Sequence, residues 1–156
     1  MKNKIFSPLR LNAAGKILIC TICCREKDQA EGLLPALQRY RSSRIKTVSK
    51  LSRKAGWPFA ILSGKYGLIS ADEPIPYYDR LMGEDDLGKI IEKNTVFLKK
   101  NGIKMIFFLI PAPAIDPHVV PYLKSMEAAA ESTGSELKII FVPPYPKLHF
   151  MKSRIN

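Results

Sequence analysis

Three stretches of this chain are apolar almost without interruption, and each is short: Lys16 to Cys24, Trp57 to Gly64 and Lys104 to Ile110. Continuous apolarity over six to eight residues is the pattern of strands covered on both faces, as in a parallel sheet with helices above and below. A fourth segment, Glu136 to Val142, reads as another strand before Pro143-Pro144. None of these runs approaches the ~20 apolar residues of a membrane helix, and Met1-Lys-Asn-Lys leads into no secretory apolar segment. The three cysteines, Cys20, Cys23 and Cys24, are odd in number and clustered, which suits free thiols in a reducing compartment. We therefore expect a cytoplasmic protein with no membrane partner.

Between the strands the spacing is helical. Leu33, Leu34, Leu37, Tyr40, Ile45, Val48 and Leu51 recur at helical spacing between Gln29 and Lys54, with breaks expected at Gly32, Pro35 and Ser42-Ser43. Glu84 to Lys100 has acids at its start and Lys99-Lys100 at its end, closed by Asn101-Gly102. Pro117 to Ser132 is a further helix, closed by Gly134. Asp72 to Tyr78, with two prolines, reads as irregular, so a loop is expected after the second strand. Strands alternating with helices predict an α/β fold, a single-domain three-layer α/β/α arrangement with a largely parallel sheet of about four strands. Residues 1–13 and 145–156, the latter with Tyr145, Lys147, His149, Phe150, Lys152 and Arg154, read as terminal arms.

The 156 residues carry 25 Lys plus Arg against 14 Asp plus Glu, a net charge of +11. The excess is local, since residues 1–54 hold 13 of the cations and 3 of the acids. Arg39, Arg41, Arg44, Lys46, Lys50, Arg53 and Lys54 form a window with no acid. It reads either as a phosphate-contacting surface for nucleic acid or as a solvated helix face.

In an open α/β sheet ligands bind beyond the carboxyl ends of the strands, so the segments following them are expected to converge on a site. After the first strand come Cys20, Thr21 and Lys27. After the second come Ser63, Gly64, Lys65, Tyr66 and Gly67, then Tyr77, Tyr78 and Asp79. After the third comes Pro111 to His118. Ser63 to Gly67 can form an anion nest backed by Lys65, or a turn whose glycines serve geometry alone; the spacing is not that of a nucleotide-hydrolysing phosphate loop. Asp79 is the candidate catalytic carboxylate, and its competing reading is a helix cap or an ion pair with Arg80. His118 reads as a proton donor or as a first-turn surface residue. The cysteines read as small buried hydrophobes, with a nucleophilic Cys23 or Cys24 as the alternative. The Cys20-x-x-Cys23 spacing makes a weak metal pair, because residues 20 to 23 on a strand would alternate faces.

Trp57-Pro-Phe-Ala-Ile-Leu-Ser-Gly-Lys-Tyr-Gly-Leu-Ile followed by Asp72-Glu-Pro-Ile-Pro-Tyr-Tyr-Asp resembles the signature of a family of small uncharacterised prokaryotic proteins, W-x-I-L-S-A-K-[YH]-G-L-[LI] and then D-x-x-I-x-P-Y-[DE]. Cys20-Thr21 with Lys27, and Tyr40-Arg-Ser-Ser-Arg-Ile45, look like two further family features. The chain departs from the pattern in having Ile22-Cys23-Cys24 inserted, Gly64 for Ala, and an extra Tyr before Asp79. That family is distantly similar to the α/β domain of archaeosine-synthase-type tRNA-modification proteins and to the uracil-DNA-glycosylase-like fold. The resemblance implies a pocket for a base or nucleic acid built from strand-end loops. The expectation is a protein that binds nucleic acid or a nucleotide-like ligand and processes a base or glycosidic bond. In that scheme Asp79 is the catalytic group, Tyr77 or Tyr78 stacks, and Lys65 holds phosphate. The alternatives are a non-enzymatic polyanion- or partner-binding module and a thiol-dependent enzyme. No cofactor is indicated by the residues.

Overall fold

The structure is a computed structural model that describes residues 17–143 and residue 155; the expected terminal arms otherwise lie outside the described residues. In chain order the elements are β1 (Ile17–Ile22), β2 (Leu34–Pro35), α1 (Ala36–Arg39), α2 (Ser43–Ala55), β3 (Phe59–Ser63) and β4 (Gly67–Ser70). They continue with β5 (Pro74–Ile75), α3 (Leu87–Lys100), β6 (Met105–Ile110), α4 (Val120–Thr133) and β7 (Glu136–Phe141). The main sheet has the order β4-β3-β1-β6-β7, parallel except for β4. The expected α/β fold is present, with a mixed and mostly parallel sheet of five strands.

All six residues of β1 and all five of β3 are buried, as continuous apolar runs require. The chain steps from β1 to β3 on one side, then crosses back over β1 to reach β6 and β7. Because such crossovers are right-handed, reversing the direction of travel puts the connecting helices on opposite faces. Accordingly α2 packs on β1 and β3, whereas α3 and α4 pack on each other, with α3 against β4 and α4 against β7. No helix among the described residues is long and apolar enough to cross a membrane.

Two expectations are corrected. Gly64 to Tyr66 do not lead into a loop: they reverse the chain so that Gly67–Ser70 pairs antiparallel with β3, Ser63 opposite Gly67. Gly67 sits at φ +74, a conformation that side chains disfavour, which lets the hairpin close. The helical segments expected between Gln29 and Lys54 begin only with the single turn α1. Residues 28–33 are instead irregular and are tied down by the Arg39 side chain, described below. The expected breaks hold: Ser42 caps α2 by accepting the Ile45 N–H at 3.3 Å, and Gly134 closes α4. Glu84–Asp86 form a 3-10 turn before α3.

Candidate functional site

Strands β1 and β6 are the neighbours between which the chain order reverses, and beyond their carboxyl ends lies a crevice of about 880 Å³. Open α/β sheets place ligands at this position, because the two connections leave in opposite directions and part. The walls are Ile22 at the end of β1 and Cys23 to Lys27 after it, Arg41 to Arg44 at the start of α2, Asp79 to Leu81, Pro111, Ile115, Asp116 and His118 from the β6–α4 connection, and Tyr122 from α4. Helix α2 therefore begins at the crevice and directs the positive end of its dipole there.

Two buried arginines divide the work. Arg39 is fully buried, and all five of its guanidinium N–H donors are used: Nη1 to the carbonyls of Asp28 (2.7 Å) and Ala30 (2.9 Å), Nη2 to those of Gly32 (2.7 Å) and Ile75 (3.1 Å), and Nε to Ile75 (3.3 Å). It satisfies the carbonyls of a loop that has no ladder of its own. Arg44 is 8% exposed and lines the crevice. Its Nη1 donates to Thr21 Oγ1 (2.5 Å) and to the Ile22 carbonyl (2.9 Å), and Nη2 to the Cys23 carbonyl (3.4 Å). Every one of these acceptors is neutral, and no carboxylate pairs with Arg44 among the described residues. Burial pushes its pKa below the ordinary value, partly offset by Cys24, Cys23 and Asp116 nearby. A buried cation held by neutral acceptors leaves room for an anion.

The acids and thiols are placed unevenly. Arg80 pairs with Asp86, and Asp86 also accepts the Gly83 N–H at 2.9 Å, so both competing roles of Asp79 fall to Asp86. Asp79 is exposed on the crevice wall with no hydrogen bond or ion pair among the described residues. Asp116 caps the turn that begins α4 by accepting the His118 N–H (3.1 Å), and lies 3.3 Å from His118 Nδ1. Cys23, 7% exposed, lines the crevice with its sulfur 3.5 Å from the Tyr122 hydroxyl. Cys24 donates its S–H to the Glu26 carbonyl at 3.0 Å, and burial pushes its thiol up to about 11. Among the described residues no three His, Cys, Asp or Glu side chains gather as a metal would require.

Several candidate ligand contacts do not line the crevice. Cys20 and Thr21 are fully buried in β1; burial raises the Cys20 thiol, and Thr21 serves to accept from Arg44. The N–H groups of Lys65 and Tyr66 both donate to Ser63 Oγ at 3.0 Å, so they are not open to an anion. With both lone pairs occupied, Ser63 Oγ donates to the Tyr78 hydroxyl (2.9 Å), which then donates to Tyr40 (2.5 Å). Tyr78, 6% exposed, is a member of this buried chain and offers no face for stacking, whereas Tyr77 is 43% exposed but does not line the crevice. Gly64 is needed for packing: a Cβ there would meet the Tyr122 hydroxyl at 2.7 Å. Lys65 is exposed, 5.7 Å from the Tyr78 ring centroid, and Lys27 lies 4.6 Å from that centroid on the crevice wall.

The basic window is not one surface. Arg39 is structural, Arg41 and Arg44 face the crevice, and Lys46, Lys50, Arg53 and Lys54 occupy the solvent side of α2. Tyr122 and the Ser42-Ser43 start of α2 were not expected at the site; Tyr122 lies one helical turn beyond His118, and that spacing is the signal that could have found it. Comparison with known proteins finds no matching family model, no matching curated protein and no matching solved structure.

Proposed function

We propose that this chain binds a phosphate-bearing, nucleotide-like ligand or nucleic acid in the crevice between the ends of β1 and β6, with Asp79 positioned to act on the base or its glycosidic bond. The observation that carries the reading is Arg44, a buried guanidinium on the crevice wall whose acceptors are all neutral. Arg25, Lys27 and the start of α2 add positive potential around it. The resemblance of the Trp57–Asp79 segment to a family with distant likeness to base-processing folds favours a nucleotide over other anions. The test is binding of tRNA, single-stranded DNA and mononucleotides at two salt concentrations, to wild type and to Arg44→Gln and Lys65→Ala. The reading expects Arg44→Gln to weaken binding about tenfold or more and Lys65→Ala to change it little. Binding that vanishes with salt and ignores Arg44→Gln would favour a non-enzymatic polyanion module using Lys46, Lys50 and Lys54.

A second reading rests on Cys23, whose sulfur lies in the same crevice against Tyr122. A thiol-dependent enzyme would lose turnover on Cys23→Ser while keeping its ligand affinity; unchanged turnover removes that reading.

A further inference from the structure

Resting on the reading of the crevice as a phosphate-binding site, we infer that it selects a terminal phosphate on a mononucleotide-like ligand, taken phosphate end inward and ring end outward, and excludes the internal diesters of a strand. The cation is recessed. Arg44 is 8% exposed and anchored by Thr21, Ile22 and Cys23, so its guanidinium cannot swing out to meet a ligand at the surface. An internal phosphate carries a nucleoside on each side, and both would have to enter to reach that depth. A terminal phosphate brings one. It also carries about one and a half to two negative charges at neutral pH, against one for a diester, and so gains more from a buried cation.

The outer part of the crevice is mixed, with exposed charged residues such as Arg25, Arg41 and Asp79 beside two large apolar side chains. Leu81 and Ile115, 53% and 59% exposed, are large apolar side chains that water solvates poorly, and both belong to the crevice lining. They come from different connections, Leu81 ahead of α3 and Ile115 after β6, and both belong to the lining of the same crevice. A flat ring seated against these side chains covers apolar surface that the free protein leaves wet. The volume of about 880 Å³ lies within the ordinary range for a small-molecule site. A recessed cation with two exposed apolar side chains on the same lining matches a molecule that is anionic at one end and aromatic at the other.

The test is competition on the full chain with adenosine monophosphate, inorganic phosphate, adenosine, and a short DNA oligonucleotide lacking terminal phosphates. Wild type is compared with Arg44→Gln and with Leu81→Ser/Ile115→Ser, the latter on exposed positions where folding is not at stake. The inference expects the monophosphate to compete at least about tenfold better than the oligonucleotide. It expects Arg44→Gln to weaken both monophosphate and inorganic phosphate, and the double serine variant to weaken the monophosphate and leave inorganic phosphate unchanged. The wild-type comparison of monophosphate with oligonucleotide needs no variant, so it stands even if Arg44→Gln fails to fold. Equal binding of the two, still lost with Arg44→Gln, overturns the terminal-phosphate inference and leaves the underlying reading intact. Monophosphate binding indifferent to the serine variant overturns the orientation. No binding by any probe to folded wild type overturns both.

Discussion

Arg39 and Arg44 are five positions apart in one acid-free window, yet one holds a loop together and the other lines the crevice. The difference is set by acceptors distant in sequence. Arg39 reaches the Ile75 carbonyl, 36 residues away, and Arg44 reaches Thr21, 23 residues away. Charge spacing carries no information about such partners, so the sequence showed the cations without dividing them. Arg39→Met should cost about 3 kcal/mol or more, because it strands buried carbonyls as well as removing the charge; a urea midpoint close to wild type would contradict this. Cys24 offers a reactivity test. Its thiol, pushed from 9.0 to about 11, holds little thiolate at pH 8, so iodoacetamide should modify it about a hundredfold more slowly than an ordinary exposed thiol. Site-resolved mass spectrometry reads that rate, and modification as fast as in the unfolded chain would show the burial to be wrong.

At the scale of elements, the parts visible in advance were those with local causes. The strand runs, the Ser42 cap and the Gly134 stop each depend on residues within a few positions. The hairpin of β3 and β4 escaped because Gly64 and Gly67 signal an ending as readily as a reversal, and Ser63 decides between them by gathering the N–H groups of Lys65 and Tyr66. That account predicts separate penalties for two glycines. Gly67→Ala must hold φ +74 and crowd the Lys93 Cβ at 2.8 Å, so it should lose about 1–2 kcal/mol or more. Gly64→Ala presses on the Tyr122 hydroxyl and on the Met82 backbone nitrogen at 3.0 Å, and should disturb the crevice as well as stability by about 1–3 kcal/mol. Denaturation of both variants, with ligand binding by the second, checks the distinction; a Gly64→Ala protein with wild-type stability and affinity would refute it.

For the molecule as a whole, the reversal of strand order at β1 and β6 locates the crevice and brings the Asp79 and Pro111–His118 segments to it, while the Ser63–Gly67 turn packs behind Tyr122 and contributes no lining residue. The alternation of elements made the fold class legible, but which strand-end segments meet depends on strand order, and that is not written in local spacing. Burial also sets the response to alkali. Cys20, Tyr40, Tyr78 and Tyr122 are all pushed above their ordinary values, 9.0 for the thiol and 10.0 for the phenols, so the unfolded chain releases these protons first. Their contribution to stability is complete below about pH 9 and is lost as pH rises beyond it, which urea midpoints across that interval will follow; a flat profile to pH 11 would contradict the burial of these groups. The central claim concerns where phosphate sits, and a crystal structure with a nucleoside monophosphate tests it most directly. The account predicts the phosphate against the Arg44 guanidinium and the first turn of α2. Phosphate seated instead on the outer lysines of α2 or at the Ser63–Gly67 turn, with the crevice empty, would contradict it.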